Sequence, residues 1–174
     1  MYLDTVLDSD TLTRLRQIGF SRVPVSFTSD TLAPFGILLT KSLVGYEACN
    51  ETIKEAVIND HIRVIVPMFF TEQTNLGDIC RAFREGQCHM GIICESAEAA
   101  KNNRDFADNV MRSMMEGKEY IASTAELNLL AKQSVLGVIT LENVLERIFQ
   151  MEIKDEMEIY RVKVPEPVVR LKKN

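Results

Sequence analysis

The sequence predicts a mixed α/β protein built from two related units, each with a small sheet packed against two helices. Two observations favour this fold class: an internal repeat, and short strand-like runs set between helix-like segments. The composition agrees, because hydrophobic residues make up 46% and charged residues 26% of the 174 residues, values typical of a globular protein. A chain of this length can bury about 70% of its unfolded surface, so the core needs no disulfide or metal.

The internal repeat is visible in two pairs of segments. Residues 12–25 match residues 79–92, and in both an apolar residue lies seven positions before a glycine, which is followed by a strand-like run. Residues 36–40 match residues 137–140, each a short apolar run that begins with glycine and leads into a helix. The repeat predicts two units with the order helix, strand, strand, helix.

In the first unit, a helix is predicted near residues 10–18. Polar residues just before it can cap its N-terminus, and Gly19 can end it. Strands are predicted near residues 22–27 and 35–39. A second helix is predicted to start at Thr40, whose hydroxyl can cap it.

In the second unit, an opening strand near residues 62–66 precedes a helix near residues 75–85. Strands near residues 88–94 and 135–139 follow. The last helix is predicted by an apolar face with helical spacing. Its members are Leu141, Val144, Leu145, Ile148 and Phe149.

The second unit carries a longer connection between its two strands, an insertion at about 96–133. Within it, Phe106, Val110 and Met114 recur every four residues, which predicts an amphipathic helix near residues 97–116. The insertion is interpreted either as a surface helix or loop packed on its own domain or as a docking element for a partner. Because the first unit has no counterpart, we expect the insertion to be mobile and dispensable for the core.

The repeat also divides the chain. The first motif is assigned to residues 1–58 and the second to residues 59–153. Residues 154–174 are interpreted as a tail, either a linker or a peripheral strand, because the segment is charged and its prolines prevent a helix.

Composition and motifs argue against several functions. The formal charge of −5 disfavours nucleic acid, whose binding proteins show basic patches. No apolar run reaches the about 20 residues of a membrane helix, and the first residues lack the features of a signal peptide. With two histidines and no GxSxG, Walker or GxGxxG motif, neither a hydrolytic triad nor a Rossmann-type site is indicated.

The four cysteines are predicted to be free thiols in a reducing compartment, buried as small hydrophobic side chains. A zinc site drawn from Cys80, Cys88 and His89 is the alternative. Its spacing fits no common zinc-binding pattern, so no metal site is predicted from these residues.

Four stretches carry a resemblance to a known family. They are GFSRVPV at 19–25 with the preceding LDSDTL at 7–12, GILLTKSL at 36–43, FREGQCHMGI at 83–92 and LGVITLENVLE at 136–146. They resemble the cystathionine-β-synthase (CBS) domain pair, or Bateman module. More narrowly, they resemble the intracellular pair of the cyclin M (CNNM) and CorC magnesium transporters.

The resemblance implies a fold and a setting. The fold would be tandem CBS motifs, each with a small sheet packed against two helices, that form one Bateman module. The module itself would be soluble, would lie on the cytoplasmic side of a membrane and would perform no catalysis. Family members have a membrane domain upstream and usually a Met-Thr-Pro run just before the point where this chain begins. We therefore expect the chain to be a fragment or to have lost that run.

The resemblance also implies a nucleotide site. CBS pairs bind adenine nucleotides through a Gly-h-h-Thr-x-x-Asp/Asn pattern, where h is apolar, and Gly137, Thr140 and Asn143 match it in register. A helix N-terminus favours phosphate, a threonine hydroxyl can hold it, and a polar side chain one turn later can hold ribose hydroxyls. By resemblance, Glu142 lies near the phosphates and needs Mg2+ to bridge it. The base would lie against Phe20 and Ser21, with Val138 on its other side.

The first unit departs further from this pattern. Leu39 and Ser42 stand where the pattern has threonine and aspartate, so that half-site is expected to be weak or empty. Simpler interpretations of the second site stay open. Thr140 can be an ordinary N-cap, Asn143 a polar residue of the first turn, and Phe20 part of the core.

The function predicted from these residues is a cytosolic regulatory module of a CNNM/CorC-like divalent-cation transporter. It would bind ATP or another adenine nucleotide with Mg2+. The bound or free state of this site would then be communicated to the membrane domain of the same transporter. It is expected to be a homodimer and to bind no nucleic acid. The alternative is a dimerising interaction scaffold with a decayed nucleotide site, for example one that docks a phosphatase of the regenerating-liver type through the 96–133 insertion.

Overall fold

The computed structural model describes residues 1–29, 34–86, 88–127 and 135–150. In these residues the chain forms two three-stranded sheets with helices packed around them, so the predicted mixed α/β fold with two units is confirmed. The predicted tail at 154–174 and the last part of the insertion lie outside the described residues.

The first sheet has the strand order β1 (Arg22–Ser26), β2 (Pro34–Leu39) and β3 (Val64–Ile65), and both pairings are antiparallel. All six residues of the central strand β2 are buried. Gly36 is required in β2, because a Cβ atom there would collide with the side chain of Val64. This close approach sets β3 against β2.

The strand predicted near residues 62–66 is present in part, and it pairs with the first sheet. Of residues 62–66, Val64–Ile65 form β3 and complete the first sheet. The second sheet opens instead with β4 (Met68–Thr71). Pro67 lies between them, and a proline has no N–H to donate to a ladder, which explains why the apolar run divides there. The division of the chain at residue 58 stays a prediction.

The second sheet has the order β4, β5 (Met90–Cys94) and β6 (Val135–Thr140). Strand β4 pairs with β5 in parallel, and β5 pairs with β6 antiparallel. A parallel pair needs a crossover connection. Here α3 (Leu76–Glu85) supplies it, close to the helix predicted at residues 75–85.

Helix α1 (Ser9–Ile18) agrees with the predicted helix. The Asp8 side chain accepts the Thr11 N–H at 2.8 Å, which caps the helix and, together with the hydroxyl of Thr11, lowers the pKa of the Asp8 carboxyl. Gly19 ends the helix in the left-handed region with φ of 73°.

The second helix of the first unit, predicted to start at Thr40, is a single turn there, and no side chain caps it. Thr40–Leu43 form one turn of 3₁₀ helix, and Gly45 then takes a left-handed φ of 80° that a continuing helix excludes. The chain becomes helical again only at α2 (Ile53–Ile58), where Thr52 and Glu55 form a reciprocal capping box.

Helix α4 (Ala97–Met115) confirms the amphipathic helix predicted near residues 97–116, but this helix is part of the core. It packs against both sheets and α2. Its apolar stripe belongs to the main core, which also contains Phe35 and Leu38 of β2. The prediction that the insertion is dispensable for the core is therefore wrong. Helix α4 has no counterpart in the first unit, yet it fills the space between the two sheets. The buried side chains of α4 are Ala99, Asn103, Phe106, Ala107, Val110 and Met114.

Helix α5 (Leu141–Phe149) packs on α3 and forms a second, smaller core cluster around Val144, Ile79 and Phe83. Of the predicted apolar face, Ile148 and Phe149 are 46% and 62% exposed. The chain itself therefore covers only part of this face. Among the described helices, none has the length and apolarity needed to cross a membrane.

Candidate functional site

A cleft of about 600 Å³ lies between the two units. Residues 19–22, where α1 ends and β1 begins, line one side. Residues 89–90 at the start of β5 and residues 140–143 and 145 at the N-terminus of α5 line the other side. The cleft therefore exists only because the first and second units face each other.

Five of the six predicted site residues line this cleft. They are Phe20, Ser21, Thr140, Glu142 and Asn143. The sixth, Val138, is not among the lining residues, but it lies two positions before Thr140 on β6 and therefore on the same strand face. Phe20 and Val138 are 61% and 45% exposed, so neither is an ordinary core residue.

Thr140 and Asn143 are hydrogen-bonded to each other. The Thr140 hydroxyl oxygen accepts the Asn143 N–H at 3.3 Å. In return, Oδ1 of Asn143 accepts the Thr140 backbone N–H at 3.0 Å and the Thr140 hydroxyl at 2.8 Å. This reciprocal box caps α5, so the N-cap interpretation of Thr140 is confirmed.

The start of α5 is also tied to the second sheet. The Leu141 N–H donates to the backbone carbonyl of His89 at 3.1 Å, which joins the first helical turn to the residue before β5. The Glu142 carboxylate is exposed at the same end of the helix. An anion that approaches this helix end therefore meets both the helix dipole, which attracts it, and the Glu142 charge, which repels it.

Two basic residues line the cleft, Arg22 on the side of the first unit and His89 on the side of the second unit, beside the N-terminus of α5. Arg22 follows the predicted site residue Ser21, whereas His89 is not next to any predicted site residue in the sequence. A signal for it was present, because the alignment of residues 12–25 with 79–92 places His89 at the position of Arg22. The two units thus contribute equivalent positions to one site.

Arg22 has an unsatisfied group. Its Nη1 donates to the Ser21 hydroxyl oxygen at 3.3 Å. Its Nε is buried and has no hydrogen-bond partner in the part of the chain that the structure describes. Leaving a buried donor unpaired costs about 1–3 kcal/mol.

The hydroxyls of Thr40 and Ser42, at the half-site of the first unit, are already hydrogen-bonded within the chain. The Thr40 hydroxyl donates to the Phe20 carbonyl at 2.8 Å. The Ser42 hydroxyl donates to the Leu39 carbonyl at 2.6 Å and accepts the Arg63 N–H at 3.0 Å. These bonds agree with a weak or empty first half-site, which stays a prediction.

The cysteines are free, as predicted, but not all are buried. Burial raises the pKa of the Cys88 and Cys94 thiols, so both stay neutral near pH 7. Cys49 is exposed. Within the described residues, no group of three histidine, cysteine or acidic side chains is placed to hold a metal ion.

A second group of titratable side chains surrounds Glu51, away from the cleft. Its carboxylate contacts His61 Nδ1 at 2.8 Å and accepts from the Tyr46 hydroxyl at 3.1 Å and the Asn59 amide at 3.0 Å. The hydrogen bond with His61 is the largest cause that lowers the pKa of Glu51, to about 2. Burial is the main cause that raises the pKa of Tyr46, and its hydrogen bonds with Cys49 and Glu51 raise this pKa further. This group ties the loop before α2 to the residues that follow α2.

No family profile matches the chain. It is 24% identical over 163 residues to the metal transporter cnnm-2 of Caenorhabditis elegans and 22% identical over 160 residues to protein MAM3 of Saccharomyces cerevisiae. The alignments cover 90% and 92% of this chain but 21% and 17% of those proteins. The chain therefore spans about a fifth of the length of the curated relatives that it matches.

Among solved structures, the chain is similar to the CBS domain of the bacterial CNNM/CorC family Mg2+ transporter in complex with ATP. The TM-score is 0.50 at 21% identity, over 86% of this chain and 78% of that one. The fold is that of a CBS domain. The resemblance to the CNNM/CorC family is thereby confirmed.

Proposed function

We propose that this chain is the regulatory CBS module of a CNNM/CorC-like divalent-cation transporter and that it binds an adenine nucleotide, with Mg2+, in the cleft between its units. One observation carries the proposal: five residues chosen from a sequence pattern in two separate units line a single cleft of about 600 Å³. The similar bacterial CBS domain, whose structure is a complex with ATP, supports it.

The chemistry of the cleft suits a phosphate-bearing ligand. Phosphate would lie at the N-terminus of α5, beside His89 and opposite Arg22. There it would find the helix dipole and the positive charge of the Arg22 guanidinium. The base would rest on Phe20, which is exposed and apolar. Phe20 and Val138 would then be covered by the ligand rather than by water.

Magnesium is part of the proposal because of Glu142. Its carboxylate lies at the same helix end as the proposed phosphates, and the chain as a whole has a formal charge of −5. A bare polyphosphate would be repelled by both charges. Mg2+ is commonly held by one or two carboxylates together with substrate phosphates.

The module is proposed to regulate rather than to catalyse. Nucleotide occupancy would fix the first and second units relative to each other, because the ligand contacts both. That change would be passed to the membrane domain of the same transporter, with the module on the cytoplasmic side. The similar proteins of known function are transporters or transporter domains, which supports this role.

The alternative function, a dimerising scaffold, is favoured by the exposed apolar end of α5. Ile148 and Phe149 are 46% and 62% exposed in the described structure, and a second copy would bury them. Dimerisation is compatible with nucleotide binding, so the scaffold replaces the nucleotide proposal only if the cleft binds nothing.

Calorimetric titration of the unmodified chain with ATP, ADP and AMP, each with and without Mg2+, tests the proposal. We expect one nucleotide per chain and tighter ATP binding with Mg2+ than without it. Thr140→Ile should abolish binding, because it removes the hydroxyl and adds bulk at the helix end. Thr13→Ile is the matched control, since Thr13 is exposed on α1 outside the cleft. If the unmodified chain binds no nucleotide at millimolar concentration with Mg2+, the nucleotide proposal fails. The scaffold function then replaces it.

A further inference from the structure

Of the described residues that line the cleft, three carry ionisable side chains: Arg22, His89 and Glu142. Arginine and glutamate ordinarily keep their charges between about pH 5 and 8, whereas histidine is the side chain that ordinarily changes its charge in this range. These three residues therefore include one whose charge can depend on pH near neutrality. It lies at the position that the internal repeat equates with Arg22, where the first unit has a permanent cation.

His89 is held beside the proposed phosphate position by its backbone. Its carbonyl accepts the Leu141 N–H at 3.1 Å, so the residue lies next to the first turn of α5. The charged residues that line the same cleft are Glu142 on α5 and Arg22 on β1, and their opposite charges offset each other in part. Bound ATP adds net negative charge at this end of the helix, even with Mg2+. A nearby anion favours the protonated form of an imidazole.

Other ionisable groups on neighbouring segments are not among the described residues that line the cleft. The Cys88 thiol precedes this histidine in the chain, and burial raises its pKa, so the thiol stays neutral near pH 7. At the end of α3, the Glu85 carboxylate contacts the Arg84 guanidinium at 3.2 Å. The N-terminal amine donates to the Pro24 carbonyl of β1, and burial lowers the pKa of this amine. Because the amine can also change its charge near neutral pH, variants are needed to separate the two groups.

We propose that His89 takes up a proton from solvent when a nucleotide binds, so that the cleft holds a phosphate-bearing ligand more tightly at acidic than at alkaline pH. This inference rests on the proposed function, because it concerns the same cleft, and it adds regulation by pH to that function. The protonated imidazole donates to the phosphate oxygens and attracts their charge. Without that proton, Arg22 is the remaining cation among the described residues that line the cleft. Nucleotide occupancy therefore falls as pH rises.

Substitutions at position 89 separate the charge of the side chain from its other properties. His89→Gln keeps a polar side chain that cannot be protonated, so it should weaken binding at acidic pH and have little effect at alkaline pH. His89→Arg keeps the positive charge at every pH tested, and the repeat has arginine at the equivalent position. It should bind ATP tightly without taking up a proton. His61→Gln is the matched control, because His61 is the other histidine of the chain and contacts Glu51 outside the cleft.

The experiment is a calorimetric titration of the unmodified chain and the three variants with ATP and Mg2+, at about pH 6 and about pH 8. Between these pH values, the Kd of the unmodified chain and of His61→Gln should rise about tenfold more than the Kd of His89→Gln or His89→Arg, as expected when an anion stabilises a protonated imidazole. Titration near neutral pH in buffers with different ionisation enthalpies counts the protons. The chains that keep His89 should take up a fraction of a proton more per nucleotide than the two variants at this position. A proton exchanged by ATP itself is common to all four chains, so the difference between chains isolates His89.

Two results would overturn this inference while leaving the proposed function intact. The first is ATP binding by the unmodified chain with the same pH dependence and proton uptake as His89→Gln. The second is a proton released on binding that both variants at position 89 lack, which would show that the ligand prefers the neutral imidazole. If thermal unfolding shows that His89→Gln does not fold, the comparison with His89→Arg decides in the same way. A failure of the unmodified chain to bind ATP at either pH would instead overturn the proposed function, and this inference with it.

Discussion

Replacing Phe106 with alanine removes the largest apolar side chain that α4 places in the core. Phe106 is 6% exposed. Its ring meets Phe27 and Tyr120 edge to face, at centroid distances of 5.5 and 5.7 Å. Phe27 follows β1 and Tyr120 follows α4, so this aromatic cluster joins the insertion to the first unit.

The expected loss follows from this burial. Truncation of a buried phenylalanine to alanine costs about 3–5 kcal/mol, through lost transfer energy and the cavity left behind. In a chain of this size, each kcal/mol lowers Tm by about 2–4 °C. Phe106→Ala should therefore lower Tm by about 6–20 °C. Met115→Ala is the control, because Met115 ends the same helix and is 75% exposed. It should change stability by at most about 0.5 kcal/mol.

The assay is thermal unfolding followed by circular dichroism, with urea unfolding to confirm that the slope of the transition is unchanged. If Phe106→Ala unfolds at the same temperature as Met115→Ala, α4 is not part of the core, and the first expectation of a dispensable insertion is restored. Phe106→Leu gives a graded check, since it keeps most of the apolar volume and should lose much less stability than the alanine variant.

Three further predictions concern the cap, the acid limit and assembly. Thr140→Val removes the cap hydroxyl of α5 and should cost about 1 kcal/mol in unfolding free energy measured with urea; an unchanged midpoint would contradict the capping geometry. The pKa of Glu51 is lowered to about 2, so its contribution to stability is present above its unfolded pKa and is lost as pH falls towards 2. Glu51→Gln should therefore flatten the acid decline of Tm below about pH 5, and an identical decline would refute this. The unmodified chain should have the mass of a dimer by light scattering, and Phe149→Ser should shift it towards the monomer; a monomeric mass of the unmodified chain at high micromolar concentration would contradict this.

Local signals in the sequence were sufficient for several elements. Gly19 ends α1 because glycine takes a left-handed φ without strain, and this requirement can be read from the chain alone. The spacing of the apolar residues in α5 and α4 likewise predicts helices without knowledge of their partners. These are the features that depend on residues close together in sequence.

Features that depend on distant partners were missed. Whether β3 joins the first or the second sheet is decided by its pairing with β2, and no local pattern of Val64–Ile65 contains that information. The core role of α4 depends on the space between the sheets. In the same way, the short 3₁₀ turn at Thr40 follows from the Gly45 conformation and from the bond of Thr40 to the Phe20 carbonyl.

The cleft shows the same division. Thr140, Glu142 and Asn143 could be named from one short pattern. His89 is also identifiable from the sequence, because the repeat aligns it with Arg22. The orientation of the Asn143 amide could not be predicted, because it depends on which atoms Thr140 presents to it in the folded helix cap.

The central claim is that an adenine nucleotide binds between the two units. The most direct test is a titration of the isotope-labelled chain with ATP and Mg2+, followed by the amide resonances of both units. We predict saturable shifts at Phe20 and Ser21 of the first unit together with Thr140 and Glu142 of the second, and no shift at Thr13 or Asn109. Shifts confined to one unit, or no shift at millimolar ATP with Mg2+, would contradict the claim.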